Sequence, residues 1–303
     1  MNCTRTWNAK LECVDFAEAE NPRRIVFRTC PRLERGRLVF QMGTASPELA
    51  VRAGKVVAGD VDAIDVNSGC PMHFSMHSGM GAALLQTPDR LVDILTALVR
   101  DVGGPFGIHI SVKIRLLDRD DPEPTYALVR RLVRTGISCL TLHCRTTPMR
   151  PREPVLRFAM RGVADICHAA GVACYLNGDV VGPHELRGLM DAHGVDGAMI
   201  ARAAEANPTC FAATPQPWRQ VAREYMQLCH QVDNSYINSK YCLAKFIPGK
   251  HPLHQSVARA KSLDAIQAAL DQQLDLDDPP ARKRRKSIDS FDSESKPKRQ
   301  VTA

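Results

Sequence analysis

The feature that most constrains this chain is an alternation. Short apolar, β-branched runs at residues 38–42, 63–66, 110–114, 139–142, 173–176 and 197–200 are separated by amphipathic stretches at 47–58, 88–100, 124–134, 155–170 and 183–192. Each run has the length of a buried parallel strand. Several stretches open on a proline, suited to the first turn of a helix, and several close near a glycine. Strand then helix, repeated at this spacing, predicts an α/β fold. Six such units are legible. Residues 1–37 offer one strand, at 25–28, which reads as one arm of a hairpin.

Polar or loop-forming residues stand directly after the runs: Gly43, Asn67, Arg115, His143, Asn177 and Arg202. Both (β/α)8 barrels and doubly wound sheets bind ligands at that end of their strands. No Gly-x-Gly-x-x-Gly follows an early strand, which disfavours a dinucleotide-binding sheet. After residue 216 the pattern changes. Residues 217–246 and 252–274 read as helical, with aromatics Tyr225, Tyr236 and Tyr241. From 275 onward the chain is charged and rich in Ser and Pro, which predicts disorder. The expected organisation is 1–215 as the α/β domain, 216–274 as a helical domain and 275–303 as a basic tail.

A length of 303 residues with 44% hydrophobic content supports one large domain and a smaller one. The 11 cysteines are odd in number and include no Cys-x-x-Cys pair, so neither a disulfide framework nor a zinc site is expected. Most of these thiols are expected as small core residues. No apolar run has the length of a membrane span, and MNCTRTWNAK at the start has no signal-peptide core. The expected protein is a cytoplasmic monomer with no metal and no membrane partner. The net charge is +7, but residues 279–303 hold eight Lys/Arg against three Asp/Glu, so the remainder is close to neutral. Net charge is therefore a weak guide to nucleic-acid binding. ARKRRKS at 281–287 resembles a nuclear localisation signal or a loose RNA-binding arm, which makes the nucleus a second expected compartment. Ser287 is a candidate kinase site.

Residues 64–71 read IDVNSGCP, a strand running into a tight polar loop. The glycine permits an unusual turn and the proline stiffens it. Such a loop can hold Cys70 out of the core and aim it into a cleft. A thiol, mostly protonated at neutral pH, can then donate a proton. The alternative is a buried loop cysteine. GMGAALL at 79–85 places two glycines at the start of an apolar helix, where N–H groups can face a phosphate or a base edge; an ordinary helix start is the plainer reading. Lys113 and Arg115 serve either a ligand or a salt bridge across the sheet's mouth. His143 is either a ligand contact or a satisfied core histidine. Arg145, Arg150 and Arg152 form one basic loop, able to meet RNA phosphates or simply solvated.

Together these motifs resemble the tRNA-dihydrouridine synthases, most closely the eukaryotic type 2 (position 20) subfamily. The resemblance rests on IDVNSGCPMHFSMHSGMGAALL, on VFRTCPRLERGRLVFQMGT before it, and on VKIR (112–115), TLHCR (141–145), NGD (177–179), ARAAEANP (201–208) and DNSYINSKYCL (233–243), in the family's order. It spans roughly residues 20–246. It implies a flavin-bearing (β/α)8 barrel followed by a helical tRNA-binding domain. It implies that NADPH or NADH reduces FMN, and that the C5–C6 bond of a D-loop uridine in tRNA is then reduced. Carried over, Cys70 is the proton donor. Gln41, Lys113 and His143 match flavin contacts. Asn177, Gly178, Asp179, Ala201 and Arg202 match the FMN phosphate and ribityl site. Asn67 matches a loop position beside the flavin and substrate, and Arg145, from the basic loop, is the other candidate substrate contact. The family's first-strand Ala-Pro-Met motif has no counterpart, so the barrel is expected to lack its first two βα units. Met72 stands where the family usually has lysine. The alternatives are a tRNA-binding relative that holds no flavin, and a flavin barrel acting on a free pyrimidine.

Overall fold

The computed structural model describes residues 3–276. Six strands form a parallel sheet in sequential order: β4 (Val39–Met42), β5 (Ala63–Asn67), β6 (His109–Leu116), β7 (Cys139–Thr146), β8 (Ala173–Asn177) and β9 (Gly197–Met199). The apolar runs of the sequence mark all six. Between them lie α1 (Pro47–Val57), α2 (Pro88–Leu98), α3 (Glu123–Leu132), α4 (Met160–Ala169) and α5 (Leu186–His193). Helix α1 shows why these begin where they do. Ser46 accepts a bond from the Leu49 N–H at 3.2 Å, Pro47 fills the first turn, and Glu48 complements the helix dipole. The fourth helix starts later than its apolar periodicity predicts, because residues 155–159 form the loop that closes over the sheet end.

The strands alternate in character. Ile64, Val66, Val112, Ile114, Leu140, Leu142 and Leu176 are fully buried and join Leu91, Ile94, Leu95, Leu98, Val129 and Val163 of the helices in one core. Burying each such side chain contributes about 1.5–3 kcal/mol. The intervening residues Asp65, Ser111, Lys113, Thr141, His143 and Tyr175 occupy the face turned away from those helices. The sheet is therefore two-sided: one face builds the fold and the other is polar. Strands β4 and β9 are its two ends and do not pair with each other.

Residues 3–29 differ from expectation. They form a three-stranded antiparallel sheet of β1 (Cys3–Asn8), β2 (Cys13–Glu18) and β3 (Asn21–Thr29), not one hairpin arm. β1 is largely exposed and β2 carries Asp15 among its buried residues, so neither shows an apolar alternation. Asp15 is tolerated there because Arg28 pairs with it. Arg5 grips Asp60 with two bonds, at 2.6 and 2.7 Å, and so ties this ribbon to the end of α1.

Residues beyond the sheet form α6 (Trp218–Gln231), α7 (Tyr236–Phe246), α8 (Pro252–Arg259) and α9 (Leu263–Gln273). They enclose a second core of Val221, Met226, Leu243, Leu253, Val257, Ile266 and Leu270. Arg28 reaches from the ribbon to the carbonyls of Val232 and Asp233 after α6. The expected basic tail, with 281–287 and Ser287, lies outside the described residues, as does all but the first two residues of the segment 275–303. Among the described residues no helix is long and apolar enough to cross a membrane.

Candidate functional site

Parallel register places the candidate residues in rows across the polar face. Gln41 lies beside Asp65 and Ser111, Asn67 beside Lys113 and Thr141, and Arg115 beside His143, Asn177 and Met199. Neighbouring strands are about 4.8 Å apart, so a row of four residues spans about 14 Å of sheet.

One end is a cavity of about 530 Å³ lined by Arg115, His143, Arg145, Asn177, Asp179 and Arg202, among others. Asp179 is its hub. Its carboxylate accepts from Arg145 at 2.6 Å and from Arg202. Burial opposes ionisation of Asp179, but the two guanidiniums outweigh it and hold the carboxyl below its usual range. Asp179 sits at φ +54° and Gly178 at φ +126°. A Cβ on Gly178 would lie 2.7 Å from Val155, so only glycine lets the backbone turn so close to that loop. Asn177 donates to the Met199 carbonyl at 2.8 Å, pinning β8 to β9 at the cavity floor. Arg202 is 60% exposed at its side chain and can exchange part of its bond to Asp179 for an incoming anion.

His143 lies between this cavity and the sheet centre. Burial, with Lys113, Arg115 and Arg145 nearby, pushes its pKa down to about 3. It is a neutral imidazole at physiological pH, able to donate at one nitrogen and accept at the other. Lys113 is lowered to about 8, by burial first and then by Arg115. Its ammonium has no hydrogen bond or ion pair among the described residues, and so stands ready for an electron-rich ligand edge.

Cys70 is half-buried in the loop after β5. Asn67 makes that loop: its Oδ1 accepts from the N–H groups of Gly69 and Cys70, each at 3.0 Å. Arg115 donates to the Gly69 carbonyl at 2.6 Å, and Ala82 N–H donates to the Cys70 carbonyl at 3.0 Å. Gly81 adopts φ +60°, and a Cβ there would lie 2.4 Å from Ser75 Oγ and 2.6 Å from the Cys70 carbonyl. The segment after it is a 3₁₀ turn, Gly81–Gln86, and not the start of a long helix. Gly81 therefore serves close packing on the Cys70 loop rather than a helix-dipole anion site.

Arg145 also differs from expectation. It belongs to β7, not to the basic loop, and is 3% exposed. Its guanidinium braces the loop through the carbonyls of Pro151 and Glu153 while it holds Asp179. Arg150 and Arg152 are exposed on that loop. Ala201 and Arg202 begin a single helical turn at the cavity edge.

Asp65 is a site residue that no sequence motif singles out, and Arg115 makes no salt bridge among the described residues but holds the Gly69 and Thr146 carbonyls. Asp65 is two residues before Asn67 and Arg115 two after Lys113, so the strand alternation puts each on the polar face. That spacing was the available signal. Among the described residues no group of three or more His, Cys, Asp or Glu is placed to hold a metal ion.

A parallel α/β sheet with a cationic cavity and a loop-borne thiol at the C-terminal ends of its strands belongs to the ligand-binding α/β proteins. The model of the family described as "Dihydrouridine synthase (Dus)" matches residues 3–275, and the chain belongs to that family. It is 44% identical over 270 residues to a Schizosaccharomyces pombe protein named tRNA-dihydrouridine(20) synthase [NAD(P)+], covering 88% of this chain and 56% of that protein. It is 42% identical over 285 residues to the Saccharomyces cerevisiae protein of the same name, covering 90% and 74%. A human tRNA-dihydrouridine(20a/20b) synthase [NAD(P)+]-like protein is 27% identical over 240 residues, covering 78% and 72%. The chain thus spans a little over half the length of the fission-yeast relative.

Proposed function

We propose that the chain is a tRNA-dihydrouridine synthase. In this reading it reduces the C5–C6 bond of a D-loop uridine, at position 20, with FMN as cofactor and NADPH or NADH as reductant. The observation that carries the reading is the Cys70 loop, anchored by Arg115 to the wall of the cationic cavity.

The residues fit a flavin mononucleotide. Arg202 can take its phosphate, with Arg145 and the Gly178–Asp179 turn as the cradle. Lys113, held close to its titration point, can neutralise the charge of a reduced ring, while His143 supplies a neutral hydrogen bond. A bound flavin would supply the hydride for C6 of the uracil. The chain's own part is to hold the base so that Cys70 Sγ gives its proton to C5. The uridine must leave its stack to reach this position. The exposed Arg150 and Arg152 suit the phosphates beside it. The helical module is the second tRNA contact in this reading, the protein acts as a monomer, and it works in the cytoplasm with a nuclear share.

The unpaired ends of the sheet support a further part of the proposal, that these six units are those of an eight-unit barrel. Beside β4 lies a groove of about 580 Å³ lined by Phe16, Phe27, Phe40, Met42 and Leu49, among others. Two more βα units would cover this edge and complete the flavin contacts.

The test is the visible spectrum of the purified chain and of a version extended upstream in frame, followed by turnover of unmodified tRNA. Flavin absorbance and dihydrouridine formation in either form are expected. Cys70→Ala should keep the flavin and lose turnover by about 10²–10⁴-fold, the usual worth of a general acid. Absence of flavin from both forms would overturn the enzyme reading and leave a tRNA-binding relative. Turnover of free uracil but not tRNA would leave a pyrimidine reductase.

A further inference from the structure

The Cys70 loop is held by hydrogen bonds whose direction is forced from both ends. The N–H groups of Gly69 and Cys70 can only donate, and both donate to Asn67 Oδ1 at 3.0 Å. That leaves Asn67 Nδ2 to face Gln41, where it meets Oε1 at 3.0 Å. Gln41 then has only Nε2 to offer, and it donates to Asp65 Oδ2 at 2.8 Å. The other oxygen of Asp65 accepts from the Ser111 hydroxyl at 2.8 Å. The series must end on an acceptor, and Asp65 is a carboxylate, 5% exposed, fixed within β5.

We propose that Asp65 is a positioning residue for Cys70, acting through Gln41 and Asn67. Its catalytic consequence rests on the reading of Cys70 as proton donor; its structural consequence does not. Both carboxamides have two nearly equivalent orientations when nothing fixes them. Asp65 removes that choice for Gln41, and Gln41 then reinforces the orientation that the two loop N–H groups favour for Asn67. Only one orientation of Asn67 presents an oxygen to the two loop N–H groups. Three further bonds brace the loop, Arg115 to the Gly69 carbonyl, Ala82 N–H to the Cys70 carbonyl and Ser68 N–H to the Lys113 carbonyl at 2.9 Å, and none of them satisfies the Gly69 and Cys70 donors. Without the acceptor at 65, a flipped Gln41 would set its NH₂ against Asn67 Nδ2, weakening Asn67's hold on the two N–H groups, and the loop would open more often.

The experiment is alkylation of the full chain by iodoacetamide, with the rate read cysteine by cysteine by mass spectrometry. Cys144 and Cys167, both fully buried, report on global unfolding. In Asp65→Ala the Cys70 rate should rise about fivefold or more through local opening, with Cys144 and Cys167 still protected. Asp65→Asn should behave as wild type, because its carbonyl still accepts from Gln41 while its NH₂ donates to Ser111. A wild-type Cys70 rate in Asp65→Ala would overturn the proposal. So would an Asp65→Asn variant that labels like the alanine variant. If Cys144 and Cys167 become reactive in Asp65→Ala, Gln41→Leu breaks the same series at an exposed side chain. The same rise is expected there, and its absence is equally fatal.

On tRNA, Asp65→Ala should lower kcat about tenfold with KM unchanged, as expected of a misplaced reacting group. If the wild-type chain turns over no tRNA, the proposed function fails, while the labelling pattern still decides the role of Asp65.

Discussion

The parallel sheet and the helical module both bury polar groups, but the sheet gathers several that can carry charge on one face. The sheet buries groups that can carry charge: Asp65, Lys113, Arg115 and His143. Burial pushes Asp65 upward and the other three downward, each toward its neutral form. The helical module buries Ser239 and His251, and each has hydrogen-bond partners within the module. Asn234 donates to Ser239 at 3.0 Å, and Ser239 bonds the Ser235 carbonyl at 3.1 Å. A satisfied neutral network costs little, whereas desolvated charge is expensive. The sheet carries that expense only on the face where a ligand would bind.

The comparison can be broken at its two cores first. Leu142→Ala under the sheet and Leu243→Ala between the helices should each cost about 2–5 kcal/mol in a denaturant titration. One shared transition in both variants would mean that the regions unfold together. Two transitions, each shifted by only one variant, would show that they are separate bodies.

A smaller effect distinguishes the charged interior. Lys113 has a folded pKa of about 8, below its unfolded value of 10.5. Between those values the unfolded chain binds more protons, so stability should rise with pH across that window. The gain is up to about 3 kcal/mol for a shift of this size. Lys113→Met should be more stable than wild type below pH 8 and lose this part of the slope. Equal slopes in the two proteins would show that Lys113 is well solvated.

The smallest effect sharpens the boundary. Arg28 joins Asp15 of the ribbon to carbonyls of the helical module. Arg28→Ala should cost about 1–3 kcal/mol, because it strands a mostly buried carboxylate. If the two cores melt as one in wild type, this variant should pull their transitions apart.

What the sequence revealed follows the same division. The strands under the core were legible because their outward residues are Ile, Leu and Val, and the helices because they open on Ser46-Pro47 or Thr87-Pro88 and repeat their apolar residues. The ribbon was not, because CTRTWN has no apolar face and CVDFAE carries an aspartate whose partner lies 13 residues on. Its first turn ends on Glu12 at φ +52°, without the glycine or asparagine that marks such turns. The Cys70 loop was visible as a motif. The dependence of that loop on Asp65 was not, because it passes through Gln41, on a strand 24 residues away in sequence.

The open ends of the sheet matter at the bench before they matter to chemistry. A strand with one side unpaired is a growth face: among the described residues β4 and β9 each pair with one strand only, and at high protein concentration that second edge can meet another extended chain. How well those two edges are covered therefore sets the shelf life of concentrated stocks.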